Sequence, residues 1–174
     1  MRFDYFYTRE YLPTRYEADE NQWENRRAVW NFKDGNCSPS VLNDLVEYID
    51  KIVRNESLSE FIICFIPAST RSKTLKRYSS VARQLSNRTG VETSLAAITK
   101  DVDTEAQHLG ERRDNPAEAF SFDSDYFKGK RVILIDDVIT RGKTFSSTAI
   151  KLISNGATSV VGLFVAKTMN PDWN

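Results

Sequence analysis

Asp136 and Asp137 stand side by side after the apolar run VILI (residues 132–135) and before VITRGKT (residues 138–144), a turn that carries Thr140, Gly142 and Thr144. Adjacent acids repel one another and lose hydration if buried, so the chain must offer them water, a cation or hydrogen-bond donors. A sugar diol suits them, because each carboxylate oxygen can accept a hydroxyl proton, and a divalent cation suits them as well. Glycine at position 142 lets the backbone curl close around a ligand. Uncapped amides at a helix start, together with the helix dipole, form a cradle for a phosphate. Diol-binding acids followed within a few residues by such a cradle describe a ribose 5-phosphate site. The triplet Gly142-Lys143-Thr144 also matches the end of a nucleotide P-loop, but the first glycine of that motif belongs at the position of Asp137.

A second stretch supplies positive charge. Between Pro67 and Val91 lie Arg71, Lys73, Lys76, Arg77, Arg83 and Arg88, with no acid among them. Such a segment meets a polyanionic substrate, a nucleic acid or water. Arg83 and Arg88, farther along, read as solvated helix positions. His108 is the only histidine and lies in a polar stretch, where a lone histidine reads as a surface residue.

These groups need a scaffold to hold them. FIICFI (residues 61–66), RVILI (131–135) and VVGLFVA (160–166) read as strands buried on both faces. RFDYFYT reads as an edge strand, VETSLAAITK as a further short strand and Phe120–Phe122 as another. The spacing of Leu42, Leu45, Val46, Ile49, Ile52 and Val53 predicts a helix capped by Ser38 with Pro39 in its first turn. Leu75, Tyr78, Ala82 and Leu85 predict a second helix, and residues 143–154 a third. The rest of residues 1–35 shows no clean period. Alternating strand and helix signals argue an α/β fold with an open, mainly parallel sheet flanked by helices, whose ligands meet the carboxyl ends of the strands. Asp136 and Asp137 fall at such an end.

The chain has 174 residues, enough for one core and short for two, so a single domain is expected. No run is apolar for the roughly 20 residues of a membrane helix, and the start lacks the pattern of a signal peptide, so a cytoplasmic protein without membrane partners is expected. Net charge is zero, which argues against a general nucleic-acid coat. Cys37 and Cys64 lack metal-ligand spacing, and Cys64, inside FIICFI, reads as a buried thiol.

VILIDDVITRGKT closely resembles the signature of type I phosphoribosyltransferases, which bind 5-phosphoribosyl 1-pyrophosphate with Mg2+. The resemblance implies that Asp136 and Asp137 hold the ribose hydroxyls, act in catalysis as anchors with some charge stabilisation, and serve the metal. It implies that Val138, Ile139, Thr140, Arg141, Gly142, Lys143 and Thr144 hold the 5-phosphate. Family members usually carry small or hydroxyl residues where Arg141 stands, and often a small one at Lys143. FIICFIPASTRSK is similar to the family's strand and pyrophosphate loop, often built with a strained or cis peptide. By that likeness Ala68, Ser69 and Thr70 form the turn, and Arg71 and Lys73 are charge partners.

TEAQHLGERRDNPAEAFSF (residues 104–122) resembles the pattern of the ComF-like subgroup through Gln107, Leu109, Glu111, Arg112, Asn115, Ala119 and Phe120. The cysteine-rich zinc module that many such proteins carry is not matched. The likeness implies a mobile flap over residues 101–118, with Arg112 a pyrophosphate partner, and a small N- and C-terminal hood, the N-terminal part drawn from residues 1–35. The order Lys167, Pro171, Asp172, Trp173 is similar to purine phosphoribosyltransferases, and implies that Lys167 reads an exocyclic oxygen of a purine-like base while Trp173 stacks on its ring. The implied reaction is displacement of pyrophosphate by a nitrogenous acceptor, in a chain that could form a homodimer. The alternative is a ComF-like nucleic-acid-processing or ribose-phosphate-binding protein without transferase turnover, its basic segment on a backbone and its N-terminal aromatics on unpaired bases.

Overall fold

The computed structural model describes residues 1–100 and 115–173. Five strands form the main sheet: β1 (Tyr5–Tyr11), β2 (Phe61–Phe65), β3 (Glu92–Ser94), β6 (Arg131–Ile139) and β7 (Ser159–Thr168). Their order is β1-β7-β6-β2-β3, and every neighbouring pair is parallel. A separate antiparallel pair joins β4 (Ile98–Lys100) to β5 (Phe120–Phe122). The expected open parallel sheet is thus found, with RFDYFYT on its edge. VETSLAAITK, expected as one strand, divides instead, because Ser94 accepts the amides of Ala96 and Ala97 and turns the chain from β3 towards β4.

Three helices cover one face of the sheet: α1 (Glu20–Lys33), α2 (Pro39–Ile52) and α3 (Arg71–Thr89). Phe32, Leu45, Ile49, Tyr78 and Leu85 pack there against Ile63, Ile133, Ile135 and Leu163. The short α4 (Ser124–Phe127), the helix α5 (Lys143–Ser154) and β4 cover the other face, where Phe127, Phe145, Ala149, Leu152 and Ile98 meet Ile62, Cys64, Leu134 and Phe164. This is why the central strands are apolar without alternation. Ser38 caps α2 through the Val41 amide, with Pro39 in the first turn, and Cys64 is buried. Leu75, expected on the core face of α3, is exposed, and Val81 takes its place inside.

Helix α1 falls in the stretch that shows no period. Its two tryptophans, Trp23 and Trp30, lie edge to face on the outside, so the apolar stripe is blurred. Its start has a local cause: Asp19 accepts from the Gln22 amide and the Gln22 side chain accepts from the Asp19 amide. Of residues 1–35, β1 therefore belongs to the sheet and α1 to its covering layer. Residues 12–16 run above them, pinned by the buried Arg26, which donates to the carbonyls of Leu12, Pro13 and Tyr16.

Two connections position the acids. β2 leads through α3 to β3 on one side, while β6 leads through α5 to β7 on the other, so chain direction diverges between β2 and β6. β2 stops pairing at Phe65, opposite Ile135, whereas β6 runs on beside β7 to Ile139. Asp136 and Asp137 thus lie within β6, in the part that has lost its β2 neighbour, and not beyond the strand. The crevice opened there is the expected ligand position in an open α/β sheet.

Candidate active site

The turn after β6 closes on a helix without a side-chain cap. Gly142 occupies the N-cap position of α5 with φ of 73°, a left-handed conformation that glycine adopts without strain. The first-turn amides of α5 therefore keep their donors for a ligand, and the positive end of the helix points the same way. Thr140 and Thr168 share a hydrogen bond of 2.8 Å between their hydroxyls, tying the turn to the end of β7. Phe145, in the first turn of α5, lies against Gly162 of β7. A Cβ at 162 would stand 2.8 Å from that ring, so glycine is what lets the helix start settle so near the sheet.

A cleft of about 340 Å³ lies beside this turn. Asp136, Val138, Thr140, Arg141, Lys143 and Thr144 are among its walls, as are Ile139 and Gly142. The structure thus brings the whole expected phosphate turn together with one of the two acids. Asp136 Oδ1 accepts from the Asp137 amide at 2.8 Å and lies 3.0 Å from the Tyr78 hydroxyl, whose single proton it shares with the Ile66 carbonyl at 2.9 Å. Its Oδ2 accepts from no donor among the described residues, and the side chain is 16% exposed. Burial first, and the neighbouring Asp137 charge second, push the Asp136 carboxyl well above the usual carboxylate range. Donors brought by a ligand would draw it back down.

Asp137 is buried, and its surroundings differ. Its Oδ1 accepts from the Val138 amide at 2.7 Å, and its Oδ2 lies 3.2 Å from Lys33 Nζ and 3.9 Å from an Arg77 nitrogen. Arg77 also stands 4.0 Å from Asp136. Burial opposes the Arg77 charge, yet Tyr78 and the two acids outweigh it and its pKa rises. Burial, and then Asp136, raise the Tyr78 hydroxyl well above its ordinary value, so it remains a donor. Lys33, Arg77, Tyr78 and Thr168 are the residues that sequence reasoning missed. Arg77 carried a signal as part of the acid-free basic run, Tyr78 looked like core, and Lys33 gave none.

The loop after β2 matches expectation in position and differs in detail. Every peptide bond of the described residues is trans. The Ala68 amide donates to Thr74 Oγ1, so it is already engaged, and Thr70 caps α3 by accepting from the Lys73 amide. Lys73 Nζ donates to Ser69 Oγ at 3.1 Å, which leaves both side chains exposed at the loop. Arg71 borders a separate cleft with Leu75, Thr99 and Lys100. Lys167 does not enter the cleft beside the turn. Its ammonium is 5.6 Å from the Tyr5 ring and 5.5 Å from the Tyr7 ring, and hydrogen bonding to Tyr5 raises its pKa. Trp173, 47% exposed, lies under the Arg141 guanidinium at 5.5 Å, so it stands beside the turn. Arg112, His108 and the flap expected over residues 101–118 fall wholly or mostly outside the described residues.

The donor set allows a limited metal role. No cluster of three or more histidine, cysteine or acidic groups occurs among the described residues. Asp136 Oδ2 is free, while both Asp137 oxygens are engaged. With a sugar diol on that oxygen, a magnesium ion would be held by water and substrate phosphates, as this ion commonly is. No helix among the described residues is long and apolar enough to cross a membrane.

Comparison with known proteins adds the fold. No family model and no curated protein matches the chain. Among solved structures, the chain is similar to the B. subtilis glutamine phosphoribosylpyrophosphate (PRPP) amidotransferase complexed with ADP and GMP, at 18% identity over 78% of this chain and 30% of that one, with a TM-score of 0.51. It is similar to an allosteric regulatory enzyme of purine biosynthesis, at 18% identity over 79% of this chain and 30% of that one, TM-score 0.50. A third is an asparagine mutant from the analysis of an invariant aspartic acid in HPRTs, at 11% identity over 80% and 76% of the two chains, TM-score 0.50. The chain spans under a third of the length of the first two. The fold is that of type I phosphoribosyltransferases.

Proposed function

We propose that this chain binds 5-phosphoribosyl 1-pyrophosphate and transfers its phosphoribosyl group to a nitrogenous acceptor, releasing pyrophosphate. The observation that carries the reading is a single cleft that joins an acid with a free oxygen to a helix start whose amides are uncapped. A 5-phosphate would sit on the first turn of α5, with Arg141 and Lys143 adding charge, and the ribose would meet the acidic end of β6. Magnesium, when bound, would neutralise pyrophosphate charge. Lys73 and Ser69 lie at the loop beyond β2, where the leaving group would emerge. Catalysis would come from holding the sugar in place and favouring its cationic transition state, with no covalent nucleophile.

The finer parts of the proposal are an acceptor resembling a purine, a ComF-like relationship and a cytoplasmic setting. Trp173 supports the first, because an exposed indole beside the phosphate turn offers a stacking face. Lys167 supports it less, since its ammonium rests on Tyr5 and Tyr7. Calorimetry with the intact donor, ribose 5-phosphate and pyrophosphate, each with and without magnesium, tests the binding step. The donor with magnesium is expected to bind most tightly, and no binding in any arm would end the proposal. Incubation with donor, magnesium and a mixture of bases, followed by chromatography, tests transfer. New purine nucleotides with matching pyrophosphate support it, whereas an amine or pyrimidine product replaces the acceptor.

A second reading draws on the exposed face of α3. Arg71, Lys73, Lys76 and Arg83 are all exposed there, as are Trp23 and Trp30 elsewhere on the surface. Donor binding without turnover, together with salt-sensitive binding of a single-stranded oligonucleotide, would favour a ribose-phosphate and nucleic-acid binding protein.

A further inference from the structure

The cleft beside the phosphate turn takes Asp136 into its wall and leaves Asp137 out. We infer that the two acids have separate roles: Asp136 alone reads the sugar hydroxyls, and Asp137 is a positioning residue held in a cation clamp by Lys33 of α1 and Arg77 of α3. The inference rests on the ribose-phosphate reading and refines it.

Both Asp137 oxygens are engaged. One is taken by the Val138 amide and the other faces Lys33 and Arg77. The residue is 7% exposed, so its charge is held by these partners and little by water. Turning it towards a diol would take one of two counter-charges from Arg77, whose Nε is already buried without a hydrogen-bond partner, and leave it Asp136 at 4.0 Å. Asp136 is the opposite case. Tyr78 and the Asp137 amide hold one oxygen, and the other, which meets no donor among the described residues, has two lone pairs, enough to accept two neighbouring hydroxyls.

The clamp depends on how α1 ends. Gly35, with φ of 82°, follows the last turn of α1 and passes so close to α3 that a Cβ there would overlap the Lys76 carbonyl oxygen. This contact sets the end of α1 against the helix turn that carries Arg77, and brings Lys33 to Asp137. The N-terminal segment thereby becomes part of the site's support, although it lies far from the acids in sequence.

The test uses the full chain and two probes, ribose 5-phosphate and 2-deoxyribose 5-phosphate, compared by calorimetry. The wild type is expected to prefer the ribose form by on the order of tenfold, the worth of a hydrogen bond to a charged group. Asp136→Ala should bring the ratio near unity. Asp137→Asn and Lys33→Met should weaken both probes alike, by about threefold to tenfold, and keep the ratio. Lys33→Arg should restore affinity. Collapse of the ratio in Asp137→Asn, or its survival in Asp136→Ala, overturns the division of roles. If the wild type binds neither probe, the ribose-phosphate reading fails and the division of roles fails with it. The clamp is then still measured by a double-mutant cycle of Lys33→Met and Asp137→Asn in urea, where zero coupling overturns it.

Discussion

Gly35→Ala is expected to damage stability and ligand binding together, and its size follows from the geometry. The residue has φ of 82°, where an L side chain is strained, at a cost of about 1–2 kcal/mol. The new Cβ would also overlap the Lys76 carbonyl oxygen and lie 3.2 Å from its carbon, both of them backbone atoms that cannot rotate aside. Forcing α1 away from α3 adds about 1–3 kcal/mol, the usual range for overpacking. The sum is about 2–5 kcal/mol, which for a chain of this length lowers Tm by roughly 4–20 °C. Gly129→Ala is the internal control, because Gly129 has a similar φ of 74° with nothing within 4 Å of its Cβ. It should cost only the backbone strain of about 1–2 kcal/mol. Urea melts of both variants give the difference, and calorimetry with ribose 5-phosphate gives the functional part. Gly35→Ala should lose affinity as Lys33→Met does, and Gly129→Ala should not. Equal destabilisation by the two substitutions would refute the close approach as the cause, and unchanged ligand affinity in Gly35→Ala would refute its link to Lys33.

Arg26→Met should cost about 3–5 kcal/mol, because it abandons three carbonyls that the buried guanidinium now satisfies at 2.8 Å each. It should also free residues 12–16, whose Tyr16 is hydrogen-bonded to Asn170 and Asp172, so limited proteolysis there should quicken. A loss under about 1 kcal/mol would contradict this account. For Cys37, burial pushes the thiol from 9.0 up to about 11, with nearby Arg9 pulling it partly back. The folded chain therefore holds a proton that the unfolded chain has lost between these pH values, so stability falls as pH rises through that window. The full effect is about 2.7 kcal/mol, reduced to roughly 1–2 by solvent at this part-exposed site. Urea melts at pH 8 and at pH 11 should show a smaller alkaline drop in Cys37→Ala than in the wild type, and identical drops would remove Cys37 as a cause.

The parallel sheet was legible because its central strands are buried on both faces, and only apolar residues can occupy that environment. FIICFI and RVILI therefore stood out, as did the cap formed by Ser38 and Pro39. The phosphate turn was legible for a similar reason: glycine at the helix start, hydroxyls and preceding acids lie within nine residues, and local geometry places them together. Helix α1 was hidden because its exposed tryptophans break the apolar period, although Asp19 and Gln22 marked its start.

What the sequence by itself determined was the local chemistry of the turn and the apolar strands that carry it. The different fates of the two acids came from tertiary structure. Both acids reach α3, Asp136 through Tyr78 and Asp137 through Arg77, but only Asp136 also lines the cleft while only Asp137 has Lys33 of α1 beside it, and which cations wait there depends on how the helix layer packs. Lys33 and Arg77 are 44 residues apart, on helices that meet where Gly35 passes the Lys76 carbonyl and Phe32 packs on Tyr78. Charges that converge over such separations leave no spacing pattern to read, because folding of the layers, and not the local backbone, sets the distance between them.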